Sequence, residues 1–453
     1  GEAGRDSSSV EKRENTDVRN FRLEGALFAN FSEKGSGNLR TYYYRSERGL
    51  PGATILYNTS GFSKQRLRDN TFFTQAHYRN YISNRWAFQA NVKYNNGYVY
   101  YLDPEFLNAE GKLENRYRQN ELYGSVSALF RALENLSFSV STDVVMNNLS
   151  ANLPDFAYPT RYTSLSSLAA KYVTDRLLAT ASLLYTQTSE HVRSGTAANN
   201  RHRLSPYSSL TYRPFEAIDF RLRAFYKNIF RLPTFNDLYY SRVGKRDLKP
   251  EDTHQFNIGL TYSTSAGDRV PLLTMTADAY LNKISNKIVS YPNRNIFEWS
   301  MMNFGSVVIS GVDVALESAF VLSPKVKLLA GSSFTFQDSR NRSNPDSPAY
   351  NHQLPYTPRF SGSGRAVVET SWLTAAYTVL WSGTRYTSAQ NMPENRLSGY
   401  ADHGVSLSKS VGVKHNKVDL SVEALNLSNK NYEIVRNFPM PGRSFRGTIS
   451  INF

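Results

Sequence analysis

Tyr98, Tyr100 and Tyr101 stand just ahead of Asp103-Pro-Glu105, and Tyr239 and Tyr240 just ahead of Arg242. Clustered phenol rings suit stacking on a planar ligand, with an amide such as Asn236 and a guanidinium such as Arg242 donating to its rim. Asp103 and Glu105 are weak candidates for a loop-held Ca²⁺, because two carboxylates lack the oxygen-rich run that such a site usually needs. His77, His191, His202, His254, His352, His403 and His415 are scattered singly, with no pair at metal-ligand spacing. No G-x-S-x-G, H-E-x-x-H or phosphate-cradling glycine loop occurs. These residues read as a binding surface that needs no resident cofactor, and the chain reads as a non-enzyme.

The elements that hold those residues are strands. In Arg443–Asn452 the odd positions Phe445, Ile449 and Ile451 are apolar, and the even positions Ser444, Arg446, Thr448 and Ser450 are polar. Successive strand side chains point to opposite faces, so this stretch has one apolar and one polar face. Phe453 continues the apolar face and would place a ring at a membrane interface. Nineteen segments between Asn20 and Phe453 share this alternation. In Trp86–Tyr101, for example, Trp86, Phe88, Ala90, Val92 and Tyr94 lie opposite Gln89, Asn91, Lys93 and Asn95. Short turns such as SEKGSG and ALEN alternate with long loops such as 48–69, 102–115, 228–254 and 387–399. Turns at one end and long loops at the other predict an all-β transmembrane antiparallel barrel rather than a sandwich or propeller.

Composition agrees. The chain has 453 residues, 30 Tyr, 26 Phe, no Cys and a formal charge of +15. Mean hydropathy is −0.48, and no run of 18 apolar residues exists, which excludes helical membrane spans but not strands. Lys and Arg are spread evenly without basic blocks, so nucleic acid is not an expected partner. Phosphates of an anionic outer leaflet account for the charge equally well. On the face assignment, Val379, Leu420 and Ile449 should meet lipid, and Arg221, Arg223, Asp419 and Glu423 the lumen.

Phe230-Arg-Leu-Pro-Thr-Phe-Asn-Asp-Leu-Tyr-Tyr240, followed by Asp247-Leu-Lys-Pro-Glu251, resembles the F-R-x-P-[ST]-x-x-[DE]-L-Y … L-x-P-E signature of TonB-dependent outer-membrane receptors. Among its signature residues here are Phe230, Arg231, Pro233, Leu248, Pro250 and Glu251. Arg45-Ser-Glu-Arg-Gly-Leu-Pro-Gly52 with Gln65–Asp69, Asn303-Phe-Gly with Ile309–Asp313, and Asn426–Tyr432 with Pro439–Phe445 look like further pieces of that family. Such barrels have 22 strands and a plugged lumen. The resemblance therefore implies that residues 19–453 are the C-terminal nineteen or so strands, with 1–18 a loop remnant and the plug and first strands absent from this chain. It implies import of a large scarce nutrient, energised by the TonB-ExbB-ExbD complex through a plug domain on a separate or missing segment. Lipopolysaccharide and the outer membrane would surround the barrel, and a surface-exposed lipoprotein could assist it. Within the family, Phe230–Glu251 looks most like the cobalamin (vitamin B12) receptors of Bacteroidetes. The alternatives are a siderophore or haem receptor, or a barrel that only binds at the surface.

Overall fold

In the computed structural model, which describes residues 13–54, 63–241, 244–292, 299–413 and 416–452, one antiparallel sheet dominates. Its nineteen strands follow chain order: β1 (Val18–Asn30), β2 (Gly35–Leu50), β3 (Gln65–Tyr81), β4 (Trp86–Asp103), β5 (Leu113–Arg131) and β6 (Leu136–Ala151). β7 (Thr160–Val173), β8 (Leu177–His191), β9 (Arg201–Tyr212), β10 (Asp219–Arg231), β11 (Glu251–Ala266), β12 (Val270–Pro292) and β13 (Trp299–Ser323) come next. β14 (Val326–Asn341), β15 (Phe360–Thr370), β16 (Thr374–Ser382), β17 (Tyr400–Val413), β18 (Asn416–Leu425) and β19 (Ser444–Asn452) complete it. Each strand pairs with its neighbours in the chain, the first and last having one partner each among the described residues, and short turns alternate with longer loops along the meander.

Register assigns the two faces. Leu222 lies opposite Leu260, and Leu260 opposite Ala277; one residue along, Arg223, Gly259 and Asp278 form the adjacent row on the other face. Apolar side chains such as Leu222, Ile258, Val126, Val140, Leu168 and Ile449 are exposed although large. A continuous exposed apolar band of this size meets lipid, not water. The opposite face carries cross-strand networks: His77 with Asn91 (2.7 Å), Asn91 to Ser125 (3.0 Å) and Tyr123 to Asp143 (3.1 Å). Arg221 and Arg223 share this polar face, opposite to Leu222, as the alternation predicts.

Two ion pairs on the polar face span an intervening strand. Arg223 reaches Asp278 (2.9 Å) across Gly259, and Arg365 reaches Glu317 (3.0 Å) across Gly331. A Cβ on Gly259 would stand 2.1 Å from Asp278 Oδ1, and one on Gly331 2.9 Å from Arg365 Nε. The glycines are there because the partners' side chains occupy that space. Gly259→Val should therefore cost about 1–3 kcal/mol through overpacking, read as a lower unfolding midpoint of the purified protein. Gly25→Val on β1, where nothing lies within 4 Å, should leave the midpoint unchanged.

At the long-loop end the ladders run further than side-chain alternation indicates. β2 and β3 pair up to Leu50 with Gln65, and β10 and β11 up to Arg231 with Glu251. Above the membrane both faces are wet or loop-covered, so polar residues occupy both and the alternation fades while backbone pairing continues. One expected strand, Leu373–Tyr386, is interrupted. β16 stops at Ser382, and Arg385–Tyr386 forms a separate small ladder with Arg396–Leu397. Arg385 turns inward, is 2% exposed, and donates to the carbonyls of Ser398, Glu433 and Ile434 beneath the Tyr400 ring. Satisfying a buried guanidinium with three carbonyls outweighs one more ladder step.

Among the described residues no ladder joins β1 to β19. Loop residues at the rim nevertheless touch across the gap. Thr54, just beyond β2, donates its backbone N–H (2.7 Å) and hydroxyl (3.0 Å) to the carbonyl of Asn437, just before β19. Arg13 donates to the carbonyls of Pro439 (3.3 Å) and Gly52. These contacts hold the long-loop rim across the two open edges.

Candidate functional site

The largest buried cluster sits at that rim and is built around the segment between β10 and β11. Thr234 caps a one-turn helix, α1 (Phe235–Tyr239). Its hydroxyl accepts from Asp237 N (3.2 Å), and the Asp237 carboxylate accepts from Thr234 N (2.9 Å), a reciprocal capping box. Pro233 presets the turn that precedes it. Phe235, Leu238, Tyr239 and Leu248 are buried against Tyr117, Leu149, Ala151, Phe156 and Ala157 of the β5–β6 wall and the loop after β6. Tyr240 stacks on Tyr117 with ring centroids 3.9 Å apart and planes 7° apart.

Polar contacts lock the same segment. Glu190 on β8 and Arg161 on β7 form an ion pair (2.7 Å) whose side chains are 3% and 12% exposed. Tyr239 donates its hydroxyl to Glu190. Arg161 donates to the carbonyl of Pro233 (2.8 Å) and lies over the Phe235 ring (4.9 Å). Burial, and then the hydrogen bond to Glu190, push the Tyr239 phenol far above its ordinary range, so it stays neutral. Burial does the same to Tyr240. Arg231 bridges both ends of the segment, pairing with Glu251 (3.2 Å) and Asp237 (3.5 Å). Glu251 also accepts from Ile288 N (2.6 Å) and pairs with Lys287 (3.4 Å).

Several of the other motif residues also make structural contacts, Asn303 with this segment and the rest elsewhere in the sheet and its loops. Asn303 accepts from Lys249 N (2.8 Å) and donates to the carbonyls of Lys249 (3.1 Å) and Asn286 (2.8 Å), just ahead of the half-buried Pro250. Gly311 leaves room for Tyr280, which crosses it to reach Gln337 (3.3 Å). Asn426, in the left-handed region at φ 45°, donates to the carbonyls of Lys430 (2.9 Å) and Pro441 (3.0 Å). Tyr432 stacks on Tyr400 (4.3 Å) and donates to Asp402 (2.6 Å). Phe230, next to the last residue of β10, is half-buried and paired with Asp252.

The expected ligand residues do not converge. Strand alternation sends Tyr101 to a buried cluster with Leu50 and Leu67, while Tyr98 and Tyr100 share the other face with Arg118 and Arg116. Tyr239 and Tyr240 belong to the packed segment, and of this group Asn236 is the exposed member. Arg242 and Phe453 lie outside the described residues. Asp103 is buried, accepting from Gln65 (3.0 Å) and from Glu105 N (3.1 Å), and Glu105 pairs with Lys64 (2.8 Å). Among the described residues no three His, Cys, Asp or Glu side chains gather as a metal site requires. Sequence reading passed over Arg161, Glu190, Tyr117 and Asn303 as contacts of the signature, because nothing local links a strand-end Arg to a Glu twenty-nine positions on.

This architecture has counterparts. The family model described as "TonB dependent receptor-like, beta-barrel" matches residues 6–427. The copper transporter OprC superposes with a TM-score of 0.76 at 15% identity, covering 97% of this chain and 72% of that one. The siderophore receptor PiuA from Acinetobacter baumannii gives 0.73 at 14%, covering 97% and 75%. The ferric citrate transporter FecA gives 0.74 at 14%, covering 97% and 71%. In sequence, the vitamin B12 transporter BtuB of Vibrio vulnificus (strain YJ016) is 28% identical over 116 residues, 25% of this chain and 17% of that transporter's length. The chain belongs to the TonB-dependent receptor-like β-barrel family, outer-membrane proteins of Gram-negative bacteria that are transporters rather than enzymes.

Proposed function

We propose that this chain is the barrel of a TonB-dependent importer of a large, scarce nutrient, with cobalamin the favoured ligand. The similarity to a vitamin B12 transporter over 116 residues carries the choice of ligand. The wet, hydrogen-bonded polar face is consistent with a lumen that passes a polar cargo. An open sheet edge is not tolerated in hydrocarbon, because unpaired N–H and C=O groups there cost several kcal/mol each. In this reading the edges of β1 and β19 are bridged by about three further strands, giving a barrel of 22 around a plug. TonB-ExbB-ExbD would then drive import through that plug, and a surface lipoprotein could close the mouth. Asn236 and the rim around it would make ligand contacts, while Tyr239 and Tyr240 would shape the wall behind them.

Cyanocobalamin uptake by cells carrying the complete receptor tests this. Saturable uptake that collapses when the proton-motive force is dissipated is the expected result. Binding of a ferric siderophore with no binding of cobalamin to the purified receptor would reject the ligand. Absence of any energy-dependent uptake would reject the importer in favour of a surface-binding barrel.

A further inference from the structure

The ladder between β9 and β10 stops halfway up the wall. It runs from Tyr212–Leu222 to Tyr207–Lys227, six pairs, whereas β10 and β11 share thirteen and stay paired up to Arg231–Glu251. β9 itself continues up to Arg201, paired on its other side with Thr188 of β8. Above Tyr207 and Lys227, then, β9 and β10 each keep one partner and share no register. Tyr207 stands about 13 Å above Tyr212 at the usual strand rise and barrel tilt, so the open stretch occupies the upper half of an apolar band about 25 Å tall. The sequence supplies the reason. Continued register would set Pro206 against Asn228, and Arg203 against Arg231. A proline cannot donate to a ladder, and like charges directly opposite repel. Carboxylates of β11 part the two arginines: Arg231 pairs with Glu251 (3.2 Å) and Arg203 with Asp252.

Alternation assigns Arg203 to the polar face with Tyr207 and Lys227, and Asp252 to the lipid face with Leu222. Their ion pair therefore crosses from one face to the other, which a closed ladder would block. Asn228 donates to the same carboxylate (2.7 Å). Among the described residues, Ser205 Oγ and Arg203 Nε on one lip and Asn228 Oδ1 on the other are buried with no hydrogen-bond partner. Polar atoms and unladdered backbone are tolerated at this depth where they line a hydrated gap, not where they meet hydrocarbon. The signature segment ties the top of the β10–β11 hairpin to β5, β7 and β8 through Tyr117, Arg161 and Glu190. Side chains, not a ladder, hold the upper hairpin to the wall on its β9 side.

We propose that the β10–β11 hairpin above Lys227, with the signature segment, is a flap that swings out along the β9–β10 seam and opens the barrel sideways at outer-leaflet depth. Arg203 and Asp252 are its latch and Tyr207–Lys227 its hinge; the flap requires a barrel but no particular nutrient. Hydrogen exchange of the complete protein in lipid nanodiscs reads the seam without any variant. Amides of Arg203–Ser205 should exchange at least about tenfold faster than those of Leu184–Thr186, their register partners on β8. Spin labels at Tyr185→Cys and Ser285→Cys, both exposed and on one row either side of the seam, read the swing. Adding Arg203→Gln with Asp252→Asn should create a population whose distance is longer by about 5 Å, one inter-strand spacing. Labels at Ala179→Cys and Ala279→Cys, on a laddered row below the hinge, should keep their distance. Equal exchange on β9 and β8 would overturn the open seam. Unchanged distances in the latch variant, or equal broadening for both label pairs, would overturn the flap.

Discussion

Arg161→Met is expected to loosen the signature segment from the inner wall at a cost of about 3–5 kcal/mol, because it leaves the Glu190 carboxylate buried without its cation. The side chains of the pair are 12% and 3% exposed, so water cannot readily replace the guanidinium. The same change removes the donor to the Pro233 carbonyl and the cation over Phe235. Lys245 and Arg246 are exposed in the segment and offer trypsin sites once it lifts. Rapid cleavage there, with β-structure retained, is the expected outcome in detergent. Adding Glu190→Leu should restore part of the resistance, since an empty apolar pair is cheaper than one stranded charge. Trypsin resistance equal to that of the parent protein would mean that the ion pair does not hold the segment.

Ile258→Arg should destabilise the membrane-inserted protein by about 2–4 kcal/mol. Ile258 is 67% exposed on the apolar face, in register with Ala224 and Ala279. A guanidinium there would have to shed water or reach a head group. Asn257→Arg, one residue along on the polar face, should change stability by less than about 1 kcal/mol. Urea titrations of both variants in lipid vesicles give the comparison. Equal losses at the two positions would mean that the faces have been assigned wrongly.

The signature's meaning shifts once its contacts are known. Arg231, Thr234, Asp237, Leu238, Leu248 and Glu251 each have a structural partner: an ion pair, a cap or a buried cluster. A motif made of such residues identifies how the rim is built. It carries little about what the rim captures, which agrees with copper, ferric citrate and siderophore proteins all sharing this fold.

Nineteen strands, their two faces and the end that bears the long loops were all legible in the chain, because period-two alternation is a local property of a strand between two different solvents. Leu222 against Arg221 and Arg223 needed no knowledge of neighbours. The same rule, applied strictly, would have separated Tyr100 from Tyr101; reading them as a cluster ignored it. Above the membrane the rule weakens, since loops rather than lipid decide what is buried. Whether Tyr240 meets a ligand or Tyr117 depends on a contact 123 positions away, and whether Glu190 is solvated depends on where α1 settles. The clasp of Thr54 on Asn437 spans 383 positions. Only the tertiary structure could decide these, because each is a choice among distant partners that leaves no periodic trace in the sequence.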